Sequence, residues 1–243
     1  METVAAGLRP DLVGRTIVRV ELRFPTIVRH PEPEAFVEGV TGRVVERLTR
    51  RGKYLLFHLT DGYVMVIHLG MTGHLQLFDP EAPFAPHVHA VLLLDNGQQL
   101  RYRDVRRFGR LLFGTEAELL AHRAVPRLGP EPIDDTFTAR DLYLRLHRRR
   151  APLKALLLDQ AVVAGVGNIY ADESCFRARV RPDRPGSSLS RPAVQRLREA
   201  LHESLTTAIA NRGSSVDSYR DAFGERGSQQ ERLLVYGRGG EPC

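Results

Sequence analysis

Long apolar runs are missing from this 243-residue chain. None approaches the roughly 18 residues that a membrane-spanning helix needs. The opening METVAAGLRPDLVG has no basic start leading into an apolar stretch, so it does not read as a secretory signal. Cysteine is scarce: Cys175 and the last residue, Cys243, are all there is. Two cysteines so far apart do not form a disulfide framework. Cys175, inside ADESCFRARV, reads as a small buried apolar residue. No internal repeat is visible. A cytoplasmic location is the expectation.

Positive charge, by contrast, is plentiful and unevenly placed. The net charge is +6 and the sequence pI is near 9.7. That balance permits a polyanionic partner without requiring one. The clustering says more. Five arginines fall in RYRDVRRFGR (101–110), and Arg148, Arg149 and Arg150 run together shortly before Lys154.

The pattern changes along the chain. From Thr16 to Gly114 short apolar runs alternate with turn residues: 15–24, 53–60, 63–70, 73–78, 89–95, 98–104 and 109–114. Asp61-Gly62 and Asn96-Gly97 are hairpin signals, because both pairs tolerate positive φ. Strands at this spacing predict a sandwich or barrel. Residues 1–8 predict a short helix with Val4 and Leu8 on one face, and 116–125 predicts another. LGPEPID (128–134) reads as a linker. Thr138 with Asp141 caps a helix to about Arg149, and helical segments follow at 151–160 and 169–177. The longest helix starts near Ser190, with Pro192 in its first turn, and runs to Gly213. A β half followed by an α half is an α+β organisation with two domains. The polar, glycine-rich segment 213–230 is a long loop of the kind that is often functional or disordered.

Several stretches could carry chemistry. In AVVAGVGNIYADE (161–173), Gly165 and Gly167 allow close backbone approach, and N–H groups in such a turn can face an anion. With Asn168, Lys154 and the arginines 148–150 they read as a phosphate clamp on two helices. Alternatively, the glycines only relieve crowding between helices. Arg106, Arg107 and Phe108 at a hairpin tip could hold phosphates and push a ring into a base stack; equally, Phe108 could pack in the core. Met71, between two glycines in HLGMTG, could fill the space left by an extruded base, provided its turn faces the same groove as Arg106 and Phe108. Otherwise it is a core methionine. Lys53, at a strand start, is a phosphate contact, a catalytic amine or a solvated charge. His87 and His89 in PHVHA are a weak metal motif; a hydrogen-bond donor or a satisfied core histidine fits better.

Taken together, ETVAAGL, RGKYLLFHL, HLGMTG, RYRDVRRFG, LGPEP, LLDQAVVAGVGNIYADE and YGRGGEPC, in that order, resemble the bacterial formamidopyrimidine-DNA glycosylases of the Fpg/Nei family over essentially the whole chain. The resemblance implies an N-terminal β-sandwich, a helix-two-turns-helix domain and a C-terminal zinc finger. It assigns residues 1–114 to the sandwich, 115–135 to a linker, 136–236 to the helical domain and 237–243 to the start of the zinc finger. It implies a monomeric base-excision enzyme of the bacterial cytoplasm and nucleoid. Such an enzyme flips oxidised purines such as 8-oxoguanine and formamidopyrimidines out of duplex DNA, cleaves the glycosidic bond and nicks the strand by β,δ-elimination. Lys53 matches the lysine assigned as an acid in elimination. Met71, Arg106 and Phe108 match the trio that fills the void and wedges the opposite strand. His87, Arg106 and Arg149 match DNA contacts, and Lys154 and Asn168 match phosphate contacts. The loop 213–230 matches the segment that closes over the flipped base. Arg103 and Val105 depart from the family's RYxDPRRFG without touching the Arg-Arg-Phe tip.

Both ends carry further expectations. Family members open MPELPEVETV, with the exposed proline as nucleophile, so Met1 here stands in the place of a valine. A start placed at an internal GTG codon accounts for that, and the chain as written is then expected to be inactive. Cys243 matches the first of four zinc cysteines. One thiolate does not make a structural zinc site, so zinc is expected in the full-length family and not in this chain. The alternatives are a non-catalytic binder of damaged DNA and an endonuclease VIII-type glycosylase for oxidised pyrimidines; RRFG and LGMTG favour the purine branch.

Overall fold

The structure, a computed structural model, describes residues 1–122, 125, 127–216 and 220–242. The chain forms two compact units. One comprises Met1–Val125 with Ser215–Gly227, the other Pro126–Ser214 with Ser228–Cys243.

The first unit is built on strands. Helix α1 (Glu2–Leu12) buries Val4, Ala5, Leu8 and Leu12. Strands β1 (Ile17–Leu22) and β2 (Val28–His30), helix α2 (Pro33–Val40) and strands β3 (Val45–Arg51), β4 (Tyr54–Leu59), β5 (Tyr63–His68), β6 (Gly73–Phe78), β7 (Val88–Leu94), β8 (Gln99–Asp104) and β9 (Arg110–Thr115) follow. The strands make two sheets, ordered β1-β7-β8-β6 and β2-β9-β5-β4-β3. Alternating side chains from both sheets, with those of α1 and α2, form one core that includes Ile17, Phe36, Leu48, Phe57, Met65, Leu92 and Tyr102. Burying such a face is what holds two sheets together. The sandwich reading of the sequence holds, and Asp61-Gly62 turns β4 into β5 with φ of 61° and 74°. Three elements were not foreseen. β2 spans only three residues. β3, VERLTRR, is too charged to show alternation. α2 hides in a β-rich stretch, although Pro33 sits at its first turn and Phe36 and Val40 lie one turn apart on its buried face. Helix α1 also runs past residue 8, through Pro10 to Leu12.

The helix foreseen at 116–125 is shorter, α3 (Glu116–Ala121). Thr115 and Glu118 form a capping box at its start, and His122 turns extended at its end. Part of the expected linker 115–135 is thus a helix belonging to the first unit.

The second unit is helical: α4 (Ala139–Leu146), α5 (Leu153–Leu158), α6 (Asn168–Arg177) and α7 (Arg191–Ala210). Thr138 and Asp141 form the foreseen capping box of α4, and the Ser190 hydroxyl accepts the Ala193 N–H to cap α7. Their apolar stripes meet in a second core of Leu142, Leu146, Leu157, Val166, Val194 and Leu197, among others. Cys175 is part of it, 1% exposed, as expected. The expected helical domain 136–236 is interrupted, because 215–227 packs with the first unit.

Candidate functional site

The first unit carries one constellation around Asp104, a buried carboxylate at the end of β8. It accepts the Thr72 hydroxyl at 2.6 Å, the Gly109 N–H at 2.8 Å, the Tyr102 hydroxyl at 3.1 Å and the Arg106 N–H at 3.3 Å. Burial alone would raise its pKa; these four hydrogen bonds outweigh burial and hold the carboxyl below its ordinary range. The carboxylate therefore joins the β5–β6 turn, which carries Met71, to the β8–β9 loop, which carries Arg106 and Phe108. Two glycines make the join close. A Cβ on Gly70, whose φ is +66°, would lie 2.9 Å from the Gly109 nitrogen, and one on Gly109 would overlap the Tyr102 hydroxyl.

The Met71 turn lies against the Arg-Arg-Phe loop, with the Arg106 N–H donating to the Thr72 hydroxyl at 3.1 Å. Met71 is 70% exposed and Phe108 49% exposed, so neither is a core residue. The Arg106 guanidinium lies over the Phe108 ring, 4.6 Å from its centroid. A thioether, an aromatic ring and a cation thus stand in water on a rigid base.

Lys53 sits half-buried in the β3–β4 turn, and burial lowers its pKa from the ordinary lysine value. His68, at the end of β5, pairs across the sheet with Tyr54, the residue after Lys53, with the rings 4.8 Å apart. The Gly70 N–H donates to His68 Nδ1 at 3.1 Å, leaving the proton on Nε2. Burial, then the charges of Arg110 and Lys53, lower the His68 pKa to about 4. Lys53 therefore faces a neutral ring at pH 7. Glu2 accepts from Arg50 at 2.8 Å and Arg9 at 3.0 Å, fixing the start of α1 beside the same turn. His68 and Asp104 are the two members of this region that sequence reading missed. Both lie inside quoted motifs, and the Asp104 signal was the polar Thr72 that answers it across the fold.

His87 and His89 separate. His89 is buried and donates from Nε2 to the Asp104 carbonyl at 2.7 Å, a satisfied core histidine. His87 is exposed with φ of 66°. The loop before it is pinned by Arg101, which is 2% exposed. Its guanidinium donates to the carbonyls of Ala82 and Pro83 and lies 3.9 Å from the Phe84 ring centroid.

The second unit holds the other cluster. Arg148, Arg149 and Arg150 are all exposed after α4, and Arg149 reaches Asp159 at 3.5 Å. Asn168 is exposed at the first position of α6, where Gly167 gives no side-chain cap. The amides of that first turn make a favourable anion position. Two parts of the clamp reading change. The Gly165 N–H is already taken by Gln160 Oε1 at 2.9 Å, so it does not face an anion. Lys154 pairs with Asp172 at 2.8 Å, so part of its charge is neutralised.

The zinc assignment rests on Cys243, which lies outside the described residues. Cys175 does not suit a metal: it is buried in the helical core, and burial pushes its thiol up to about 12. Among the described residues no group of three or more His, Cys, Asp or Glu side chains could hold a metal ion. No helix among them is long and apolar enough to cross a membrane.

Comparison with known proteins bears on both clusters at once. Residues 1–111 match the formamidopyrimidine-DNA glycosylase N-terminal domain, and residues 128–220 match the formamidopyrimidine-DNA glycosylase H2TH domain. The chain belongs to the formamidopyrimidine-DNA glycosylase family. It is 48% identical to the formamidopyrimidine-DNA glycosylase of Moorella thermoacetica, over 100% of this chain and 89% of that one. The Chloroflexus aggregans protein of the same name is 46% identical, over 100% and 88%. Among solved structures, Thermus thermophilus MutM (Fpg) superposes with a TM-score of 0.88 at 42% identity, covering 100% of this chain and 87% of that one. A Lactococcus lactis Fpg variant, solved in complex with a Fapy-dG containing DNA, gives 0.92 at 33% identity, covering 100% and 88%. The fold is that of the family, an α+β chain with an N-terminal sheet domain and a helical H2TH domain.

Proposed function

We propose that the chain is a DNA glycosylase of base excision repair. It removes oxidised purines, 8-oxoguanine and formamidopyrimidines among them, from duplex DNA and nicks the strand by β,δ-elimination. The observation that carries the reading is the Asp104 join. It holds Met71, Arg106 and Phe108 out in water on one rigid support, an arrangement with no use in core packing. Extruding a base leaves an apolar gap and an orphaned partner. Met71 fills the gap, Phe108 wedges the stack, and Arg106 serves the orphaned strand.

The remaining residues act around that event. Lys53, with a pKa lowered by burial, gives up a proton more readily than a solvated lysine, as suits an acid in elimination. The neutral His68 beside it adds no competing positive charge. His87 and Arg149 are assigned to DNA contacts, and Lys154 and Asn168 to phosphates, which fix register without reading sequence. The protein works as a monomer on DNA in the bacterial cytoplasm and nucleoid.

The test is incubation of the gene's full product with a duplex carrying a single 8-oxoguanine. Release of the base, a nick with phosphate on both flanking ends and a borohydride-trapped adduct are expected. Cutting at an oxidised pyrimidine while 8-oxoguanine is left intact would overturn the purine assignment. Tight lesion binding with no cutting of either would overturn the catalytic one.

A further inference from the structure

Strands β6 and β7 lie on either side of β8 and both run antiparallel to it. They are therefore parallel to each other, and the chain between them has to travel back along β8. Parallel crossovers usually take a dozen residues or more; here 79–87, DPEAPFAPH, makes the return. It leads from Phe78, opposite Gln99, to Val88, opposite Arg103. Gln99, Arg101 and Arg103 alternate along one face of β8. Arg101 Nη2 donates to the Ala82 carbonyl at 2.7 Å, Nη1 to the Pro83 carbonyl at 3.0 Å and Nε to Gln99 Oε1 at 2.9 Å. Arg103 Nε donates to the Pro86 carbonyl at 2.9 Å, and the Asp104 N–H to the His87 carbonyl at 3.0 Å.

A loop with no partner strand would leave these carbonyls to water. Instead β8 takes them one after another, at the cost of burying the Arg101 guanidinium against backbone oxygens and an amide rather than a carboxylate. What the clamp holds in place is the end of the loop. His87 is exposed there, in a left-handed backbone conformation that a histidine adopts at a cost. The Asp104 that fixes the His87 carbonyl through its N–H holds Thr72 and the Arg106 N–H through its carboxylate. His87 thus shares one base with Met71, Arg106 and Phe108.

We infer that Arg101 and Arg103 are positioning residues for the DNA contact of His87: by clamping the crossover they present its imidazole to the duplex in one place. Neither arginine touches the DNA itself. A contact whose backbone is already fixed loses little freedom when the duplex arrives, and the affinity it adds depends on that order. The inference rests on the proposed assignment of His87 to DNA, which the same experiment tests separately.

The experiment measures Kd over a salt series for a duplex carrying a tetrahydrofuran abasic analogue, which has no glycosidic bond to break. His87→Ala should weaken binding about tenfold, the range of one hydrogen bond to a charged group. Arg103→Ala, at a partly exposed position that leaves the core filled, should weaken it about fivefold. When His87 is already alanine, the same change should cost less than about twofold. Its salt slope should match that of wild type, because no phosphate contact has been removed. Arg101→Lys keeps the charge but lacks the fork that spans two carbonyls, and its loss should likewise depend on His87. Equal losses with and without His87 would overturn the inference, as would no loss from Arg103→Ala. A slope lowered by about one would make Arg103 a phosphate contact in its own right and overturn it too. Wild-type affinity in His87→Ala would remove the DNA contact of His87, and this inference with it.

Discussion

The Thr72 hydroxyl donates to the Asp104 carboxylate at 2.6 Å, and through this bond residues 32 positions apart act as one support. Removing the carboxylate leaves the buried Tyr102 hydroxyl and Gly109 N–H without their acceptor and frees the Thr72 hydroxyl. Asp104→Ala should cost roughly 2–4 kcal/mol of stability, read by chemical denaturation. The sign of the pH dependence follows from the lowered pKa. The contribution is present in full above the unfolded value of about 4 and is lost as pH falls through the lower folded value. The variant should lack that acid-side decline.

Met71→Ala and Phe108→Ala should behave in the opposite way. Their exposure places them with surface substitutions, within about 0.5 kcal/mol of wild type, whereas a core reading requires roughly 2–5 kcal/mol. Both should lose discrimination between lesion-bearing and undamaged duplex. Thermal melts with binding measurements on the two duplexes separate these outcomes, and unfolding of either variant returns it to the core.

His68 should remain neutral at pH 5. Its ring resonances should titrate near the depressed value of about 4. The unfolded chain takes up this proton near pH 6.5, so stability should fall as pH drops from about 6.5 to 4 and level off below. The decline is at most roughly 3 kcal/mol. His68→Gln should flatten it.

Lys53→Arg keeps the positive charge but cannot shed a proton in the working range. Binding to a lesion duplex should survive while strand nicking drops. The alkaline limb of the wild-type nicking profile should set in below the ordinary lysine value, as burial requires, and should be absent from the variant. Equal nicking by both would remove Lys53 from the chemistry.

Lys154 and Asp172 make a paired prediction. Lys154→Ala should weaken binding to every duplex alike and reduce the salt slope by about one. Asp172→Asn frees the same ammonium from its partner at 2.8 Å. It should tighten binding and steepen the slope. An unchanged slope in both variants would place the phosphates elsewhere.

Sequence periodicity was enough for the strands around Asp61-Gly62 and the capped starts of α4 and α7, because each is set by neighbours in the chain; it left Phe108 open between an exposed tip and the core. It was not enough for α2, whose one-turn spacing of Phe36 and Val40 is too brief to stand out. Nor could it show that Gln160 takes the Gly165 N–H, or that Asp172 shares Lys154. Those are competitions between partners that only the folded chain brings within reach. Asp104 is the clearest case. In RYRDVRRFGR it reads as an interruption between cations, and its value lies in Thr72, Tyr102 and Gly109 converging on it.

A protein that meets lesions left by oxidants also meets the oxidants. Cys175 is 1% exposed and its thiol is held up near 12, so almost no thiolate exists at pH 7. It is the thiolate that attacks peroxides and alkylating agents. The second unit should therefore keep its core intact under the same chemical stress that creates the damaged base, and mass spectrometry of peroxide-treated protein should find Cys175 unmodified.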